Sequence, residues 1–123
     1  MPAVGLHHIT LLVRDLDRAA RFYEEGLGLV RKTRPNFSSR GIWYDLAGME
    51  VHLIETADGV PARNESHPAF EVTDMRDALA ACVAAGGALQ QDTFVRPHDD
   101  SLSAFVRDPD DNLIELTQHG ARR

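Results

Sequence analysis

At 123 residues the chain is long enough for one ordinary domain with a real core, whereas half of it alone would be marginal. Its composition, 43% hydrophobic and 26% charged, is that of a globular protein. A net charge of −6 and a pI near 5.4 argue against nucleic acid or an anionic membrane as partner, since both attract basic surfaces. No apolar run reaches the length of a membrane span, and the N-terminus lacks a charged-then-apolar signal pattern. The lone cysteine, Cys82, lies in an alanine-rich run and reads as a small buried hydrophobe; a reducing cytoplasm is the expected location.

In chain order, residues 6–13 are apolar and β-branched enough for a strand. Asp15 suits a helix N-cap, with Leu16, Ala19, Ala20 and Tyr23 at helical spacing and Gly26 at the C′ position. Residues 29–34 read as a strand ended near Pro35, 36–41 as a loop, 42–46 as a strand, Ala47-Gly48 as a turn and 49–55 as the fourth strand. A polar linker, 56–66, carries Gly59, Pro61 and Asn64. The order then recurs: strand 68–72, Asp74 capping a helix over 75–85, the stop Gly86-Gly87, and strands 88–95, 102–107 and 113–117. A polar tail ends in Arg122-Arg123. The pattern is βαβββ written twice.

The two copies superpose at an offset of 59 residues, His8 onto His67, with Val13 meeting Val72, Asp15 meeting Asp74 and Gly28 meeting Gly87. Strand side chains alternate faces, so His8-Thr10-Leu12, Glu50-His52-Ile54, His67-Ala69-Glu71 and Leu113-Glu115-Thr117 each share one. The opposite faces are apolar and suit cover by the helices. His52 and Glu115 take equivalent places in the fourth strands, 44 and 48 residues after His8 and His67. Four metal-capable groups at repeat-equivalent positions point to a single ion. Imidazole nitrogens with a carboxylate suit zinc, iron, nickel, cobalt or manganese, and two histidines with a glutamate match the facial triad of non-haem iron. His7 falls on the face opposite His8 and reads as structural, and His119 receives no role.

Three stretches carry a family resemblance: His-Ile-Thr-Leu-x-Val-x-Asp-Leu from His8, Phe-Tyr-x-x-x-Leu-Gly-Leu from Phe22, and Phe-Val-x-Asp-Pro-Asp-x-Asn-Leu-Ile-Glu-Leu from Phe105. By them the chain resembles the vicinal oxygen chelate superfamily, which includes glyoxalase I, bleomycin-resistance proteins, fosfomycin-resistance thiol transferases, methylmalonyl-CoA epimerase and extradiol dioxygenases. The resemblance implies an α+β fold in which paired βαβββ modules form an open, cup-shaped, eight-stranded mixed sheet. A single domain over 1–123 would comprise modules at about 4–55 and 67–118, joined by the 56–66 linker. It further implies one divalent metal, a small-molecule substrate bound through oxygen, and a homodimer. Metal-ligand roles fall on His8, His67 and Glu115, and a ligand or acid–base role on His52. The glycine usual in the Asp-Pro-Asp-Gly turn is replaced by Asp111, which tolerates a left-handed backbone at some cost.

The helper residues favour extradiol, ring-cleaving chemistry. His52 fits the proton-handling histidine of such enzymes and His98 their histidine before the last two strands, although Phe105 stands where they carry a tyrosine. The alternative is a glyoxalase I-type lyase or isomerase with Glu115 as base. That reading lacks the usual arginine at Leu12 and must anchor its anion at Arg63 or Arg40. A non-catalytic drug-binding protein of the bleomycin-resistance type is a third reading. Arg63, Tyr44 and Phe105 are the substrate-contact candidates, with Trp43 as a further pocket aromatic.

Overall fold

The computed structural model describes residues 2–60 and 62–120; Pro61 and the expected tail at Arg122-Arg123 lie outside the described residues. Among the described residues, eight strands are divided between two four-stranded mixed sheets. The first contains β1 (His8–Val13), β2 (Val30–Lys32), β3 (Gly41–Leu46) and β4 (Met49–Glu55), in the spatial order β1-β4-β3-β2. The second contains β5 (Ala69–Glu71), β6 (Ala88–Val95), β7 (Leu102–Arg107) and β8 (Leu113–Gln118), in the order β5-β8-β7-β6. Each is the same βαβββ topology, with the first strand parallel to the fourth. The expected α+β class and repeated module order hold.

Helix α1 (Leu16–Arg21) is capped by Asp15, whose Oδ1 accepts from the Arg18 N–H at 3.0 Å. Helix α2 (Met75–Ala84) is capped identically by Asp74 and the Asp77 N–H. These caps satisfy donors that a helix start otherwise leaves open, each stabilising by about 1 kcal/mol. Helix α1 continues into a π-helical turn, Phe22–Gly26, closed by the Leu27 N–H donating to the Phe22 carbonyl at 3.1 Å. Gly26 therefore lies inside the helical run rather than at C′. A side chain there would begin 3.2 Å from the Cα of Cys82, so its smallness lets the two helical segments approach. The left-handed turn expected at the helix end falls on Gly28, at φ +71°.

The alternation read from the sequence organises the core. Val13, Val51, Leu53, Phe70, Ile114 and Leu116 are buried against Leu16, Ala19, Phe22, Tyr23 and Cys82 of the helical layer. Complete burial of side chains of this size contributes roughly 1.5–3 kcal/mol each.

The motif that closes the chain fastens the two halves together. Tyr23 Oη donates to Asp108 Oδ2 at 2.6 Å, and Arg18 Nη2 donates to Asp110 Oδ1 at 2.8 Å. Asn112 Nδ2 donates to the Leu12 carbonyl at 3.0 Å. The Asp108 carboxylate also accepts the Asp110 and Asn112 N–H groups, so it builds the turn and ties it to the first half at once. The turn forms with Asp111 at φ +65°, the left-handed conformation its glycine-like position demands.

Candidate metal centre

Register decides which side chains can meet. Thr10 pairs with His52 across β1 and β4, and Ala69 pairs with Glu115 across β5 and β8. Thr10 and Ala69 are themselves related by the 59-residue offset, so His52 and Glu115 occupy equivalent points of the two sheets.

In the second sheet, His67 Nε2 stands 3.0 Å from Glu115 Oε1. His67 Nδ1 is 2.8 Å from the Glu65 carbonyl, a group that only accepts, so Nδ1 carries the ring proton. The remaining pair, Nε2 and Oε1, presents two electron-rich atoms to one point. Such a pair is held together by a positive species between them, either a proton or a metal cation. The other carboxylate oxygen is already engaged: Glu115 Oε2 accepts from Arg96 Nη2 at 2.6 Å and from Ser103 Oγ at 3.1 Å. Burial acts to raise the Glu115 pKa, but its contacts with Arg96 first, then His67 and Ser103, outweigh it and hold the group below the usual carboxylate range. Phe105 meets the His67 ring edge-on, centroids 5.2 Å apart.

In the first sheet, the His52 ring lies between two others. Trp43 stacks at 4.3 Å with planes 7° apart, and His8 stacks at 4.2 Å and 17°. His52 Nε2 is 2.8 Å from Glu50 Oε1, and Glu50 Oε2 is 2.6 Å from Lys32 Nζ. The hydrogen bond from the Lys32 ammonium, then that to His52, hold the Glu50 carboxyl down at about 2. His8 Nδ1 pairs with His7 Nδ1 at 2.8 Å, so the two neighbours touch although their strand positions point apart.

These halves remain separate within one chain. Among the described residues, no three His, Cys, Asp or Glu side chains come together closely enough to hold an ion. The other candidates divide similarly. Phe105 is at the site, and Arg63 reaches Gln90 Oε1 at 2.7 Å; Gln90 lines a cleft of about 160 Å³ shared by His67, Phe105 and Arg107. His67 also stands at an apolar cleft of about 450 Å³ walled by Ile9, Leu11, Met49 and Phe70. Tyr44 is corrected: it is fully buried on the face opposite Trp43 and His52, its hydroxyl donating to Glu24. Its desolvation and the Glu24 carboxylate both raise its pKa. His98 is also corrected: its side chain is 69% exposed, 3.4 Å from Asp99, and joins neither donor pair.

Glu50, Lys32, Arg96 and Ser103 were not assigned roles by the sequence. Glu50 was legible in principle, two residues before His52 on one strand face. Lys32 pairs with Trp43 across β2 and β3, and Trp43 with His52 across β3 and β4, a row that only register reveals. Arg96 follows the last residue of β6 and reaches across β7 to Glu115.

Comparison with known proteins places this fold. The family model described as the Glyoxalase/Bleomycin resistance protein/Dioxygenase superfamily matches residues 5–116. The chain belongs to this superfamily. A probable lactoylglutathione lyase from Vibrio cholerae is 30% identical, over 91% of this chain and 88% of its own length. Among solved structures, a glyoxalase-related enzyme from Fulvimarina pelagi superposes with a TM-score of 0.76 at 28% identity, covering 96% of this chain and 94% of that one. The fold is also that of the fosfomycin resistance protein FosX from Listeria monocytogenes, crystallised with Mn(II) and dihydroxypropylphosphonic acid. That superposition has a TM-score of 0.81 at 22% identity and covers 98% of this chain and 95% of that one. Superfamily membership accounts for the paired modules and leaves the reaction to the site.

Proposed function

We propose that this superfamily member is a divalent-metal-dependent enzyme of the lyase or isomerase type, acting on a small substrate bound through oxygen. The observation that carries the reading is the convergence of His67 Nε2 and Glu115 Oε1 with their other polar atoms occupied. That is the arrangement of two ligands oriented by outer partners, imidazole through a carbonyl and carboxylate through a guanidinium. His8 would be the third ligand, with His52 as a fourth ligand or as the acid–base group. A bound ion supplies a Lewis acid that stabilises negative charge developing on a substrate oxygen.

The chain's own residues supply the rest. Arg96 and Ser103 keep Glu115 turned toward His67. Trp43 and Phe105 give apolar walls that exclude water from the reacting oxygen. His52, sandwiched and hydrogen-bonded, holds or moves the proton. The lyase or isomerase type is preferred over ring cleavage because His98, the helper that ring cleavage calls for, stands outside the donor set and Phe105 carries no hydroxyl. The lactoylglutathione lyase-like relatives agree with this preference. Ring cleavage remains the second reading, favoured by the availability of His52 beside His8.

The donor pairs lie in separate halves, so the centre is read as shared. His8 and His52 of one copy would face His67 and Glu115 of a second, related by a two-fold axis, giving two identical sites per dimer. Loading the purified protein with nickel, cobalt, zinc, manganese or iron(II) and assaying it tests the chemistry. Turnover of the hemithioacetal of methylglyoxal and glutathione supports the isomerase reading. Oxygen uptake on catechols with iron(II) would replace it with ring cleavage, and failure to bind any of these metals would leave the drug-binding reading.

A further inference from the structure

We infer that Glu50, anchored by Lys32, is a positioning residue that fixes the ring of His52 with its proton on Nε2 and leaves Nδ1 as the working nitrogen. Nothing in the repeat predicts such a residue, because the equivalent place in the second half, two residues before Glu115, is Leu113. The inference rests on the proposed role of His52 for its functional meaning, but its geometry stands independently.

A carboxylate only accepts hydrogen bonds. Glu50 Oε2 already accepts from the Lys32 ammonium at 2.6 Å, so the 2.8 Å contact of Oε1 with His52 places a proton on Nε2. A neutral imidazole has one ring proton, and Nδ1 therefore bears a lone pair. His52 Nδ1 makes no hydrogen bond among the described residues. Trp43 and His8 close both faces of the ring, at 4.3 and 4.2 Å, so it cannot tilt out of plane without losing stacking. Rotation within the plane is what Glu50 prevents, by holding one edge.

Glu50 is itself held. Lys32 Nζ is 2.6 Å from its second oxygen, and Asp45 lies 3.4 Å from the same ammonium. The side chains of Glu50 and His52 are 16% and 9% exposed, so the pair is largely withdrawn from water while Lys32, at 30%, reaches in from edge strand β2. A charge-assisted hydrogen bond in such a place is roughly twice as strong as a neutral one. The order Lys32–Glu50–His52 thus sets one tautomer and one orientation, as carboxylates do for histidines that bind metals or transfer protons.

Nitrogen-15 NMR of the metal-free protein tests the geometry without a substrate. The expected spectrum has His52 protonated on Nε2 and bare at Nδ1, with the Nε2 proton in slow exchange. Glu50→Ala should bring that proton into fast exchange and weaken the ring contacts to Trp43 and His8. Lys32→Met, which leaves the pair in place, should accelerate exchange less. It also serves as the test should Glu50→Ala fail to fold. A protonated Nδ1 in the wild type, or exchange unchanged in both variants, would overturn the inference. Should hemithioacetal turnover be found, Glu50→Ala should lower kcat about as much as His52→Ala with KM and Co(II) affinity preserved. An equal loss of Co(II) binding in Glu50→Ala and His67→Ala would instead make Glu50 a ligand. Failure of every substrate tried strikes the proposed function and leaves the NMR result standing.

Discussion

His67 Nε2 lies 3.0 Å from Glu115 Oε1 while the opposite ring nitrogen faces the carbonyl of Glu65 and the opposite carboxylate oxygen faces Arg96. The two residues are 48 positions apart in sequence, His67 just ahead of β5 and Glu115 within β8, and parallel pairing of β5 with β8 brings them together. Each has one atom engaged behind it and one atom directed at its partner. Both groups are thus oriented by the local fold itself, which would lower the ordering cost of the proposed ion.

Arg96 should matter to metal affinity without touching the metal. Its guanidinium holds Glu115 Oε2 at 2.6 Å and Ser103 Oγ at 2.6 Å. Loss of such an outer partner ordinarily weakens metal binding about 10–100-fold. Arg96→Met should show that weakening in Mn(II) titration calorimetry while leaving the unfolding midpoint near that of the wild type, since the side chain is only partly buried.

The tie between the two halves predicts a stability effect separate from the site. Tyr23 is fully buried and donates to the Asp108 carboxylate, and burial raises the pKa of both groups. Tyr23→Phe removes the donor and leaves Asp108 short of a partner in a dry setting. A loss of about 1.5–3 kcal/mol is expected in urea unfolding. Metal affinity should be unchanged if the tie is purely structural.

Asp111 predicts a gain. Its φ of +65° is one that L side chains adopt at a cost and glycine adopts freely. The Arg107 contact to this residue uses its backbone carbonyl, so it survives the substitution. Asp111→Gly should stabilise the fold by roughly 0.5–1 kcal/mol, read as a higher Tm, with the greater freedom of the unfolded glycine setting the upper limit.

Cys82 predicts a pH dependence. Burial pushes its thiol from 9.0 up to about 11. Below pH 9 the group is protonated in folded and unfolded chains alike, and its contribution is constant. Between pH 9 and about 11 the unfolded chain ionises first, so this contribution to stability is lost as pH rises through the folded value. The difference in unfolding free energy between wild type and Cys82→Ala should therefore be flat below pH 9 and shift against the wild type above it. Alkylation of the native thiol should be correspondingly slow.

Much of this architecture was legible in the residues. Strands β4, β6 and β7 begin and end where alternation and turn residues placed them, and both N-caps were visible as aspartates ahead of a helical pattern. The faces carrying His52 and Glu115 followed from parity alone. What alternation could not supply was reach. Lys32 and Arg96 act from the edges of their sheets through long side chains, and Tyr44, an aromatic that composition alone offers to a pocket, is turned into the core by its strand parity with Val51. Gly26 does not take the C′ position because a π-helical turn carries the helix past the point where an ordinary one would close. Spacing also cannot tell whether two donors meet in one chain or across two.

Counting metal sites in mixed variants tests directly whether the donors meet across two copies. His8→Ala and His67→Ala should each abolish Co(II) binding. Unfolded together and refolded at equal concentration, half the dimers would combine one chain of each kind, with one site intact and the other doubly damaged. The account predicts recovery of about a quarter of the wild-type Co(II) sites by titration. No recovery in a mixture shown to form dimers would contradict a centre shared between two copies.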